Sequence, residues 1–133
     1  MKIETPFSPG FRISVTDIIV LMVGAIASAC LAGIDLPLGL AIAFVVAHFF
    51  LFCNVIRMAR RLELAWAAIF VGLAGCTILL QVPGWSVTFA ASFLATMALV
   101  VVQMRRPSYH GVLWRRINPN LPRWWQTHGR GKN

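Results

Sequence analysis

Four uncharged apolar stretches constrain what this chain can become: residues 18–34, 38–56, 64–82 and 87–104 contain no Asp, Glu, Lys or Arg. A helix that crosses a bilayer's hydrocarbon core needs roughly 17–25 residues at about 1.5 Å each. All four stretches have that length, the first near the lower limit. Transmembrane strands would instead alternate apolar and polar side chains over about ten residues. Here the runs are continuous and rich in Ala, Leu, Ile and Val. The expected fold is therefore all-α: a polytopic membrane protein with four transmembrane helices paired as two antiparallel hairpins. Residues 1–16 form an interfacial N-terminal segment, 17–104 the transmembrane domain, and 105–133 a basic tail rich in Trp and Arg.

With 59% hydrophobic and only 12% charged residues, the chain lacks the polar surface that a soluble domain requires. Its net charge of +8 would suit nucleic acid in another context. The positions of the charges explain it differently. All 12 Lys and Arg lie before Asp17, between 57 and 63, or after Met104. The turns around Asp35 and Trp85 hold none. Basic residues gathered on one side follow the positive-inside pattern, which predicts an N-in, C-in protein of the bacterial cytoplasmic (inner) membrane. Its first partner is then a bilayer with anionic headgroups, and no nucleic acid is expected. Asp17 stands directly before the first apolar run, where a cleaved signal would carry positive charge. That run reads as a retained helix, with Thr16 or Asp17 as its cap.

Small residues recur every four positions. Gly24, Ser28 and Ala32 form one stripe on the first helix; Ala25, Ala29 and Gly33 form a second. Ala68, Gly72 and Cys76 repeat the device on the third, and Ala91/Ala95 with Ser92/Thr96 on the fourth. Such stripes let helix backbones approach closely in lipid. A bundle this small cannot use every one of them internally, so other membrane subunits or further copies of the chain are expected partners. The three cysteines, Cys30, Cys53 and Cys76, lie in three different spans without metal-ligand spacing, and read as small packing residues.

His48 is the ionisable residue deepest in any apolar run, about 15 Å from the outer end of the second. A residue of that kind is a candidate site by default. The preferred reading is a packing histidine satisfied by a neighbouring hydroxyl: Ser28, Thr77, Ser92 and Thr96 lie at similar depths. The alternative is an axial ligand for haem or (bacterio)chlorophyll beside Phe49, Phe50 and Phe52. A haem held by two histidines would need a second intramembrane one, and His110 and His128 both lie in the tail. No cofactor or metal is expected. At the arginine-rich end, Asn54, Arg57, Arg60, Arg61, Glu63 and Asp17 form a polar cluster. A charge network is the preferred reading, and an anion or lipid-phosphate site for a small channel, transporter or lipid-handling protein is the alternative. Tyr109, Trp114, Arg115, Arg116, Trp124 and Trp125 mark the tail as an interfacial strip or a partner contact.

Enzyme signatures are missing. There is no intramembrane carboxylate pair, nucleophile set, phosphate loop or HExxH motif. Size and helix number resemble those of small four-helix multidrug exporters, but the glutamate of their first helix has no counterpart in residues 18–34. The sequence thus points to a non-catalytic subunit that packs in, or scaffolds, a larger membrane assembly.

Overall fold

The computed structural model describes residues 7–128; Lys2, Glu4, Arg130 and Lys132 lie outside that range. The described residues contain helices and no strand. Four helices are long and apolar enough to cross a membrane. They are α1 (Val15–Ala32), α2 (Leu36–Phe50, continued by a π-helical segment Leu51–Ile56), α3 (Arg60–Leu80) and α4 (Trp85–Met104). The short α5 (Trp114–Ile117) and α6 (Leu121–His128) follow. This architecture fits an integral membrane protein.

Each helix end has a local cause. α1 is capped by Ser14, two or three residues before the expected Thr16 or Asp17. The Ser14 hydroxyl accepts from the Asp17 N–H (3.2 Å), while the Asp17 carboxylate takes the Ser14 N–H (2.7 Å). This reciprocal capping box satisfies two otherwise orphaned donors. Asp35 caps α2 through the Leu38 N–H (3.1 Å), with Pro37 in the first turn, where its missing N–H costs nothing. Arg57, in the left-handed conformation with φ +53°, ends the π-helical segment. α3 begins at Arg60, four residues before its apolar run, because arginine stems can lie along the helix while their heads stay in water.

α1 and α2 meet along one of the small-residue stripes. Gly24 lies against Val46, and Gly39 against the Ala32 backbone. The Ser28 hydroxyl donates to the Gly39 carbonyl (2.7 Å). The other stripe, Ala25, Ala29 and Gly33, faces outward. α3 and α4 are joined by polar groups. The residues that α4 buries are Thr88, Ser92, Thr96 and Gln103, so its inward face is polar and its outward face apolar. Lipid tails are as apolar as leucine, so no hydrophobic force drives such helices together, and packing and hydrogen bonds take over that role.

The cysteines differ from their expected packing role. Cys30 and Cys76 are exposed on the helix surface, and only Cys53 is partly buried. Both exposed thiols sit on small-residue stripes or beside them, turned away from the bundle.

Candidate functional site

Two aromatic rows, each at four-residue spacing, build the bundle's centre. Phe44, His48 and Phe52 lie on one face of α2; Trp66 and Phe70 lie on one face of α3. The His48 ring stacks on the Trp66 indole, with centroids 4.7 Å apart and planes at 13°. Trp66 stacks on Phe70 at 5.4 Å and 4°. Phe44 covers the imidazole at 4.1 Å, and Phe52 meets it edge-on at 5.7 Å. Phe89 of α4 closes the group against Phe44 at 5.2 Å. Trp66 comes only six residues after Arg60, about 9 Å along the helix. The cluster therefore lies in the half of the bundle nearer the arginines.

His48 is buried, yet none of the four expected hydroxyls serves it. Its Nδ1 lies 2.7 Å from the carbonyl oxygen of Phe44, one turn back on the same helix. A neutral imidazole with its proton on Nδ1 donates that bond and leaves Nε2 as an acceptor. Three of these hydroxyls have other partners. Ser28 is bound to Gly39, and Thr77 shares a 2.7 Å hydrogen bond with Thr88. Thr96 accepts from the Trp66 Nε1–H (2.8 Å), which also donates to the Ser92 carbonyl (3.2 Å). The Ser92 hydroxyl itself is buried without a partner among the described residues.

An axial haem or chlorophyll would bind in the plane of the imidazole at Nε2, which the Phe44 bond leaves free, whereas Trp66 and Phe44 cover the faces of that ring. Of the other expected aromatics, Phe49 points outward and Phe50 packs against Phe11 of the N-terminal segment. Among the described residues no group of three or more His, Cys, Asp or Glu could hold a metal ion.

The polar cluster at the arginine-rich end is a docking point for residues 8–12 and 110–112, the segments that flank the four helices. A helix terminus leaves carbonyls unpaired, and here they receive donors from outside. The Asn54 carbonyl accepts from the Arg12 N–H (3.2 Å) and the Val55 carbonyl from the Val112 N–H (2.8 Å). The Gly10 N–H donates to the His110 carbonyl (2.7 Å), tying the N-terminal segment to the tail. The Arg57 guanidinium donates to the Ser8 carbonyl. Burial, and then the neighbouring Arg12, lower its pKa from the usual arginine value.

Among the other members of that cluster, Glu63 accepts from the Cys53 thiol (3.6 Å), while Asp17 is engaged with Ser14. Arg60 and Arg61 are exposed. The Asn54 amide nitrogen is buried without a partner among the described residues. A cleft of about 350 Å³ opens here, lined by Cys53, Arg57, Glu63, Gln103, Ser108 and His110 among others. His110 is held below the ordinary imidazole range by burial and by Arg57, against the raising effect of the bond its Nδ1 donates to the Ser108 carbonyl.

In the tail, Tyr109 departs from the expected surface strip: it is fully buried, its hydroxyl donating to the Val112 carbonyl (2.8 Å). Burial pushes that phenol upward in pKa. Its ring fills the space under the Val112 turn, where Gly111 lies against the Ile56 carbonyl and any side chain would collide. Trp114 and Trp125 both pack edge-on against Phe7 (5.9 and 5.6 Å). Trp124 stacks on His128, and Arg115 lies over the Trp114 ring.

Sequence reasoning passed over Trp66, Thr88 and Gln103. The Thr88, Ser92, Thr96 series at four-residue spacing was a usable signal for an inward polar face, as was the pairing of Trp66 with Phe70. Gln103 carried no such signal; its side chain takes the Ala59 N–H (3.3 Å) across the interface. Comparison with protein-family models, curated proteins and solved structures gave no match.

Proposed function

We propose that this chain is a small, non-catalytic membrane subunit that packs against other membrane helices, from a second copy or a larger complex. One observation carries the reading: α3 turns its stripe Ala68, Gly72 and Cys76 outward, and a side chain added at Gly72 would meet nothing within 4 Å. In lipid such a face lets a second backbone approach closely. The stripe 25/29/33 on α1 offers another. α1 with α2, and α3 with α4, form two antiparallel hairpins, and the arginine distribution supports an N-in, C-in orientation in a bacterial cytoplasmic membrane. The tail, with Trp114, Arg115, Arg116, Trp124 and Trp125, lies against anionic headgroups.

The stacked aromatic faces of His48 support a packing role for the ring, and the bonded hydroxyls of Thr77, Thr88 and Thr96 favour a structural bundle over a transport path. Purification in mild detergent tests the reading. The wild-type chain should elute as an oligomer or with a stoichiometric partner. Gly72→Leu should release a folded monomer. A wild-type monomer with no partner would overturn it.

A further inference from the structure

A second cleft lies where α4 leaves the apolar span. It has a volume of about 440 Å³ and is lined by Val101, Met104, Arg105, Arg106, Pro107, Ile117 and Asn118. Its floor is apolar, and its rim carries two adjacent arginines. Unlike the cleft beside Arg57, it has no carboxylate in its lining. The Arg105 and Arg106 guanidinium groups have no hydrogen-bond partner among the described residues, although their backbone N–H groups are fixed by Val101 and Gln103 carbonyls (both 3.1 Å). The opposite wall is held in place by Asn118, whose amide nitrogen donates to the Pro107 carbonyl (2.6 Å) and to the Tyr109 carbonyl (3.2 Å).

The cleft continues into a lipid-facing track. Leu94, Met97 and Val101 are exposed on α4, and with Arg105 they fall at spacings of three, four and four, on one helical face. From Arg105 to Leu94 is eleven residues, about 16 Å of helix. That is about half of a 30 Å hydrocarbon core, the depth of one leaflet.

We infer that this cleft seats one anionic phospholipid of the inner leaflet. Its phosphate lies on Arg105 and Arg106, and an acyl chain runs along Val101, Met97 and Leu94. Guanidinium forks match phosphate oxygens, and the apolar track matches the chain below them. The inference rests on the orientation proposed above, and it places a particular lipid in a particular groove where that reading has only a charged surface.

Native mass spectrometry of the full chain, equilibrated with equal phosphatidylglycerol and phosphatidylcholine of the same acyl chains, tests it. The wild type should keep one phosphatidylglycerol in preference to phosphatidylcholine. Diacylglycerol should not be kept, and soluble glycerol phosphate should not displace the lipid. R105Q/R106Q should lower retention by about tenfold, whereas R115Q/R116Q, on the headgroup-facing tail but outside the cleft, should lower it clearly less. Val101→Trp fills the groove with every arginine in place and should also release the lipid. That variant decides alone if R105Q/R106Q fails to fold. Equal retention of both lipids, equal losses from the two arginine pairs, or full retention by Val101→Trp would overturn the inference. The same spectra separate it from the subunit reading. A monomer carrying one anionic lipid sinks the subunit and keeps the groove, and an assembly without lipid does the reverse.

Discussion

Trp66 holds α3 to α4 with one N–H while its ring supports the imidazole of α2. The two roles separate experimentally. Trp66→Phe keeps an aromatic surface under His48 and removes the donor to Ser92 and Thr96. Interhelical hydrogen bonds in lipid are modest, so the variant should lose about 1 kcal/mol in a detergent-denaturation titration, and Trp66→Ala clearly more. His110 supplies a pH test. Its folded pKa lies below the unfolded value, so the unfolded chain binds more protons in the interval between the two. The stability it contributes is present above about pH 6.5 and is lost as pH falls from there toward the folded pKa. Arg57 at the end of α2 opposes the protonated ring, and Glu63 of α3 lines the same cleft. Acidification should therefore loosen the tail, seen as faster proteolysis between α4 and α6, and His110→Asn should flatten that dependence. The sequence marked His48 as worth attention, because a polar ring in an apolar run is visible without coordinates. It hid the partner. A carbonyl one turn back exists for every helical residue, so composition cannot single out the one that Phe44 supplies.

At the scale of helices, the contrast between Gly39 and Gly72 separates internal contacts from outward ones. A Cβ at Gly39 would run into the Ala32 backbone, which cannot move aside as a side-chain tip can. Gly39→Ala should push α1 from α2 and cost roughly 1–3 kcal/mol, as overpacking does. Gly72→Ala enters open space and gains helix propensity, so the isolated chain should melt no lower than wild type. Parallel thermal scans in one detergent check both. The small-residue stripes announced both faces, but equal spacing does not reveal which face a neighbour covers. Span lengths were legible because an uncharged run of bilayer length has few alternatives. The π-helical turn at Leu51–Ile56 was not. Nothing in LFCNVI forbids an ordinary helix; the turn is stabilised by what docks on it, namely Arg12 and Val112 from segments far away in sequence.

For the molecule as a whole, that docking decides how the segments flanking the four helices contribute to stability. The carbonyls of Asn54 and Val55 would otherwise point from the end of α2 toward the membrane surface, and the backbone of residues 10–12 and 110–112 supplies the missing donors. Tyr109, wholly buried, fills the space between them. The tail is thus part of the folded unit rather than an appendage, which its proline- and arginine-rich composition did not disclose. Removing residues 109–133 should leave four inserted helices, since insertion follows the apolar runs and their flanking arginines. The end of α2 should fray: amide exchange at Asn54–Arg57 should rise well above that of Ala41–Ala47 in the same helix. Tyr109→Phe, which keeps the ring and loses only the bond to Val112, should show a smaller rise confined to the same amides. If the truncated chain protected Asn54–Arg57 as well as the full chain does, the π-helical turn would owe nothing to the tail. The clasp between the two flanking segments would then be a contact without energetic weight.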